Sequence, residues 1–234
     1  MQPDARAIVF DLDDTLYPLE RFVRSGFAAV AAELQRGHGI DAKKAFRVLT
    51  SATRGGARGR ELQVCAEHFR LPDAIVGDLV DVIRLHRPSI RLPRVSVDAI
   101  EQLRGRWRIG VLTNGLPDLQ ARKVDALGLR FLVDVVVYAN ALGDGRGKPA
   151  PEPFHEVART LGVMPARTVF VGDDARCDVF GAACAGMRTI HLKGSHDMSP
   201  RVDACYADAT AATIADVPAL AEALVAEDWS VDVA

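Results

Sequence analysis

Apolar residues follow two different rhythms along this chain. Ala7, Ile8, Val9 and Phe10 form a continuous run of apolar residues that stops in an acidic cluster, Asp11, Asp13 and Asp14, within four positions. A short apolar run without alternation predicts a strand buried on both faces. From Glu20 to about Ile90 the rhythm is helical. Val23, Phe27, Val30 and Leu34 recur at helical spacing until Gly37 and Gly39 interrupt them. Asp41 is placed to cap a second helix with Ala45, Val48, Leu49 and Ala52 on one side. Leu62, Cys65, Ala66 and Phe69 mark a third, and Asp73, after Pro72, is placed to cap a fourth carrying Ile75, Leu79, Val82 and Ile83. Prolines between Pro88 and Pro93 then close the helical stretch.

Beyond them helices and strands alternate. The pattern predicts a helix over 97–103, a strand over 108–113, and a helix over 117–127 opened by Pro117 and closed by Gly128. A β-branched strand follows within 131–138, then a helix over 151–161 ended by Gly162 and a strand over 168–171. The series continues with a helix over 175–185 ended by Gly186, a strand over 188–192, a short edge strand around 205–207 and a last helix over 216–225. Strands separated by single helices predict an α/β fold, a Rossmann-like parallel sheet with helices on both faces, carrying a small all-helical domain. The expected boundaries are residues 1–17 and 92–234 for the α/β core and 18–91 for the helical insert.

Composition narrows the partners. Of 234 residues, 49% are apolar and 26% charged, the balance of a globular chain rather than a disordered or fibrous one. A net charge of −2 and a pI near 6.3 leave no basic excess for neutralising phosphates along a duplex, so no nucleic-acid partner is expected. Cys65, Cys177, Cys184 and Cys205 form no metal-binding pair and read as reduced thiols. His38, His68, His155, His191 and His196 lack ligand spacing. No basic segment leads into an apolar stretch near Met1 and no apolar run is long enough for a bilayer, so a cytoplasmic protein without a membrane partner is expected, as monomer or homodimer.

Burying the first strand carries Asp11 and Asp13 to the edge of a core, where ionised carboxylates are costly unless a cation meets them. In a parallel sheet, residues just beyond the strands' carboxyl ends converge where strand order reverses. Here those residues are Asp11 and Asp13, then Thr113 and Asn114, then the loop 143–148 ending in Lys148, then Asp173, Asp174 and Asp178. Each stretch alone also reads as an ordinary turn or a solvated loop. The series in this order does not.

The series resembles the haloacid dehalogenase-like (HAD) superfamily, most of whose members are phosphatases. Asp11-Leu12-Asp13-Asp14-Thr15 is similar to its first motif, Asp-x-Asp-x-Thr. Thr113-Asn114-Gly115 is similar to the second, Lys148-Pro149 to the third, and Gly172-Asp173-Asp174 with Asp178 to the fourth. The resemblance implies an HAD-like core and a phosphomonoester hydrolase. Asp11 would be the nucleophile forming an aspartyl-phosphate and Asp13 the general acid and base. Mg²⁺ would be held by the carboxylates of Asp11 and Asp173 and the backbone carbonyl of Asp13. Thr113, the amide of Asn114, and Lys148 would bind phosphate. Asp178 would hold a metal-bound water or orient Lys148, while Asp174 is either part of that surround or simply a helix N-terminal residue.

The insert between the first and second motifs resembles the superfamily's helical cap, which would read a small phosphorylated substrate such as a sugar phosphate or nucleoside monophosphate. Tyr17, Arg54, Arg58, Arg60, His86 and Arg87 are its candidate contacts, and a solvated arginine is the commoner case. A phosphomutase and a haloacid dehalogenase share the fold, and a non-catalytic phospho-ligand-binding module is the remaining alternative. Asp13 together with Asp173 argues against the dehalogenase, which has no alkoxide to protonate.

Overall fold

The structure is a computed structural model that describes residues 5–193 and 206–228. His196 and Cys205 lie outside the described residues. The chain divides into two compact units, Met1–Pro18 with Arg91–Ala234, and Leu19–Ile90.

The first unit is built on a six-stranded sheet of β1 (Ala7–Phe10), β2 (Arg108–Thr113), β3 (Val135–Tyr138), β4 (Thr168–Gly172), β5 (Arg188–Leu192) and β6 (Ala209–Ala211). Every pairing is parallel, and the order is β3-β2-β1-β4-β5-β6. Ala7 through Phe10 are completely buried, as the unbroken apolar run requires. The order reverses at β1, which pairs with β2 on one side and β4 on the other, so Phe10 lies in register with both Val111 and Val171. The carboxyl ends of β1, β2 and β4 therefore border the crevice in which open sheets bind ligands.

Helices cover both faces of the sheet. On one, α7 (Pro151–Leu161) packs over β2 and β3. It presents Phe154, Val157, Ala158 and Leu161 to a cluster that includes Val9, Leu112 and Phe170. Gly110 permits the approach, because a Cβ there would stand 3.1 Å from Leu161 Cδ1 and 3.2 Å from Val157 Cγ2. The rings of Phe154 and Phe170 meet edge to face at 5.1 Å between centroids. α5 (Arg94–Leu103) and α9 (Val217–Asp228) pack together, and α9 also lies against β5 and β6. α6 (Pro117–Ala126) starts on its proline, and Gly128, at φ +68, turns the chain after it.

Several boundaries differ from the pattern. The stretch 131–138 is strand only from Val135, because Leu129–Phe131 form a 3₁₀ turn that exposes Phe131, and the ladder begins where the Asp134 amide donates to Ile109 O. The helix expected over 175–185 opens as a π-helical turn, Ala175–Phe180, and continues as α8 (Gly181–Cys184). The edge strand lies at Ala209–Ala211 rather than 205–207. The residues before it are held by the side chains of Thr189 and Asp208: Thr189 Oγ1 donates to Tyr206 O and Asp208 Oδ2 accepts from Thr189 N.

The second unit comprises α1 (Leu19–His38), α2 (Ala42–Arg54), α3 (Glu61–His68) and α4 (Ile75–Leu85) around Phe27, Val30, Leu34, Leu49, Leu62, Cys65 and Leu79. Burial pushes the Cys65 thiol up to about 11. Asp41 caps α2, accepting from Lys44 N at 2.8 Å. Asp73 does not cap α4, whose N-cap is Ala74 without a side-chain bond. Backbone turns from Pro72 O and Asp73 O satisfy the first amides instead. Among the described residues no helix is long and apolar enough to cross a membrane.

Phe154→Ala is expected to cost about 3–5 kcal/mol, as for other buried aromatic deletions, in urea denaturation. A loss below about 1 kcal/mol would show that the aromatic pair does not seat α7.

Candidate active site

β1 continues its pairing one residue past the strand, through Asp11 N to Val171 O at 2.9 Å, and this delivers the Asp11 carboxylate to the crevice, 7% exposed. The chain then turns at Asp14, whose φ of +59 a short polar side chain tolerates, and Asp14 N closes the turn on Tyr17 O. Thr15 Oγ1 donates to Asp173 Oδ1 at 3.2 Å, so the first turn is tied to the end of β4.

Lys148 arrives in the connection between β3 and α7. The Asn114 amide grips its backbone twice, Lys148 N donating to Asn114 Oδ1 at 2.8 Å and Asn114 Nδ2 to Lys148 O at 3.0 Å. Gly147 is required beside them, since its φ is +67 and a Cβ would meet Asn114 Oδ1 at 2.7 Å. The Lys148–Pro149 peptide is cis. Lys148 Nζ donates to Asp11 Oδ1 at 2.5 Å, Asp178 Oδ1 at 2.6 Å and Leu112 O at 3.1 Å, which uses all three ammonium hydrogens. At the end of β4, a Cβ on Gly172 would collide with the Asp178 carboxylate, so only glycine leaves room for Asp178 to reach Lys148. Behind β4, His191 Nε2 lies 3.0 Å from Asp173 O.

Carboxylate oxygens of Asp11, Asp173 and Asp178 lie within 4.8 Å of one another. Burial opposes their ionisation. Asp173 is pushed up to about 7 by burial, with Asp11 and Asp14 adding repulsion. Asp11 and Asp178 are also raised, burial outweighing the attraction of Lys148. Burial favours the neutral Lys148 amine, but Asp11 and Asp178 overcome it and hold the ammonium above its usual range. Three carboxylates facing one ammonium leave an uncompensated negative charge, and an all-oxygen donor set of this kind suits a hard divalent cation. The residues present therefore fit a metal.

Of the predicted metal ligands, Asp11 and Asp173 come together, and Asp178 joins them. The side chain of Asp13 faces elsewhere: its oxygens accept from Tyr17 Oη at 2.6 Å, Gln120 Nε2 at 3.0 Å and Lys123 Nζ at 2.8 and 2.9 Å. Burial and Asp13 raise the Tyr17 hydroxyl above its ordinary range. Thr113 is buried, and its Oγ1 accepts from Gln120 Nε2 at 2.5 Å. Asp174 caps the π-helical turn, accepting from Arg176 N and Cys177 N. Gln120, Lys123 and Asn140, whose Oδ1 takes Gly115 N at 2.7 Å, were not singled out by sequence reasoning. Gln120 and Lys123 share one face of a helix just past Thr113, but that spacing alone does not separate them from solvated residues.

The family model for haloacid dehalogenase-like hydrolases matches residues 5–186. The chain is 30% identical to a glyceraldehyde 3-phosphate phosphatase of Methanopyrus kandleri, over 85% of this chain and 89% of that one. It is 29% identical to a ribulose-1,5-bisphosphate 5-phosphatase of Halopiger xanaduensis, over 82% and 87%. The HAD-hydrolase YfnB from Bacillus subtilis, solved bound to magnesium, superposes with a TM-score of 0.63 at 17% identity, over 93% of this chain and 98% of that one, a likeness of fold. With the family match spanning most of its length and its motifs gathered at one sheet edge, the chain belongs to the haloacid dehalogenase-like hydrolases.

Proposed function

We propose that this chain is a Mg²⁺-dependent phosphatase that hydrolyses a small phosphomonoester, a sugar phosphate or nucleoside monophosphate, through an aspartyl-phosphate on Asp11. The observation that carries the reading is the buried Lys148 ammonium, which bridges Asp11 and Asp178 beside a third carboxylate, Asp173. Phosphoryl transfer needs charge neutralised around the moving group, and a fixed ammonium in a water-poor site supplies part of that at little reorganisation cost. Mg²⁺, held by Asp11 and Asp173 with Asp178 beside them, would supply the remaining positive charge that lets a phosphate approach three carboxylates.

In the first half of the reaction an Asp11 oxygen bonds to phosphorus as the bond from phosphorus to the leaving oxygen breaks, and Asp13 gives that oxygen its proton. In the second half a water oxygen replaces Asp11 on phosphorus, and Asp13 takes the water's proton. Lys148 steadies the phosphate charge in both halves, and Thr113 with the backbone N–H of Asn114 holds phosphate oxygens. The helical unit, inserted between the first two motifs, is the cap in this reading, and the choice of substrate resides in it. The named relatives act on phosphorylated sugars and support the small-phosphoester class. A dehalogenase would need neither a proton for the leaving group nor a cation, so the cluster around Lys148 favours the phosphatase.

Asp11→Asn is expected to lower phosphate release from 4-nitrophenyl phosphate at least about 10³-fold, and EDTA is expected to stop the wild-type enzyme until Mg²⁺ is restored. Activity surviving both treatments would overturn the mechanism.

Metal and stability are linked through Asp173. Its folded carboxyl, at about 7, binds protons more tightly than the unfolded one near 3.8, so its contribution to stability falls as pH rises between those values. Asp173→Asn is therefore expected to melt higher than wild type in EDTA at pH 8 while losing the wild-type rise in Tm on adding Mg²⁺. A variant less stable than wild type in EDTA would contradict the raised Asp173 carboxyl, and one still stabilised by Mg²⁺ to the wild-type extent would exclude Asp173 as a ligand.

A further inference from the structure

Asp13 sits in a built socket that the reaction as written does not explain. Lys123, 4% exposed, spans both its oxygens, Tyr17 Oη reaches Oδ1, and Gln120 Nε2 reaches Oδ2. Gln120, 1% exposed, lies one turn before Lys123 on the same face of α6. Its Nε2 also lies 2.5 Å from Thr113 Oγ1 and 2.8 Å from Asn114 O, so two hydrogens are shared among three oxygens. One amide thereby connects Asp13 to the residues that hold phosphate.

Stability is a poor reason for such a socket. Burying an ammonium against a carboxylate returns about what its desolvation costs, and replacing both members of such a pair by apolar residues of similar volume often serves the fold as well. The Asp13 side chain keeps 22% of its surface exposed, so it remains reachable by a leaving group or a water. A carboxyl that must meet two different oxygens in turn gains from a fixed mount, because misplacement by about 1 Å can cost on the order of 10²-fold in rate.

We infer that Lys123 and Gln120 are positioning residues that hold the Asp13 carboxyl in register with the phosphate-binding end of β2. Lys123 fixes its orientation through both oxygens, and Gln120 fixes its distance from Thr113 and Asn114. The inference rests on the reading of Asp13 as the acid and base.

The test compares kcat/KM on two substrates in the full-length, Mg²⁺-loaded enzyme. The leaving group of glycerol phosphate is an alkoxide that needs a proton, whereas that of 4-nitrophenyl phosphate is a stable phenolate that does not. Lys123→Met is expected to lower kcat/KM about 10- to 100-fold on glycerol phosphate and less than about threefold on 4-nitrophenyl phosphate, with a lower Tm because Asp13 loses its ammonium. Lys123→Arg, which keeps the charge and the paired donors, is expected to recover most of the loss and serves if the methionine variant fails to fold. Asp13→Asn is measured alongside and is expected to show the same selectivity more strongly. Equal losses on both substrates for Lys123→Met, or none, while Asp13→Asn remains selective, would overturn the inference and leave the acid and base assignment standing. An Asp13→Asn variant without selectivity would overturn that assignment, and the inference with it.

Discussion

The structure depends on one buried ammonium. Lys148 is almost completely withdrawn from water, and an ammonium moved to such a place without partners costs several kcal/mol. Its three hydrogens are satisfied by Asp11, Asp178 and the carbonyl of Leu112, each from a different part of the chain. That convergence requires β1 to lie between β2 and β4, the Asn114 amide to clasp the lysine backbone, and glycine at 147 and 172, where a side chain would strike Asn114 or Asp178. The ends of three strands are thus fixed by the needs of one side chain, and sheet order becomes a condition of the chemistry.

The same cluster is overcharged. Asp11, Asp173 and Asp178 outnumber the single lysine, and burial together with mutual repulsion drives their carboxyls upward. A site selected for stability alone would not keep three carboxylates there. Excess negative charge is what a cation-dependent site must hold before its cation and substrate arrive, and destabilisation at such places is a recurrent cost of function.

Much of this arrangement is legible in the sequence because three of the four motifs fall where an apolar run ends, and the fourth, at Lys148, ends a glycine-rich loop. Ala7 through Phe10 announces a strand by composition, and Asp11 follows at once, so the position of the carboxylate needs no tertiary information. The strand around Val135 is less clear, because Phe131 and Val133 look like strand formers until the turn after Gly128 removes them from the ladder. The π-helical turn at Ala175–Phe180 is invisible to helical periodicity, since it answers to the reach of Asp178 and the cap at Asp174. Asp73 carries the right chemistry for a cap, but the turn after Pro72 satisfies the amides first. Lys123 and Gln120 carry no such signal. A buried lysine and glutamine on a polar helix are indistinguishable by sequence from solvated ones, and only their burial against Asp13 separates them.

Asp11 and Asp13 are two residues apart, yet the fold gives them opposite settings. Asp11 is enclosed, fixed by one lysine and crowded by two carboxylates, a setting suited to the nucleophile proposed at this position. Asp13 is held by a different lysine, a glutamine and a tyrosine, with part of its side chain open, a setting suited to the acid and base proposed at this position. The left-handed turn at Asp14 sends the chain back toward Tyr17, so the tyrosine beneath Asp13 belongs to the same tight turn that separates the two carboxylates. Distinct roles for neighbouring carboxylates are set by environment rather than by residue type, and here each environment is centred on its own buried lysine.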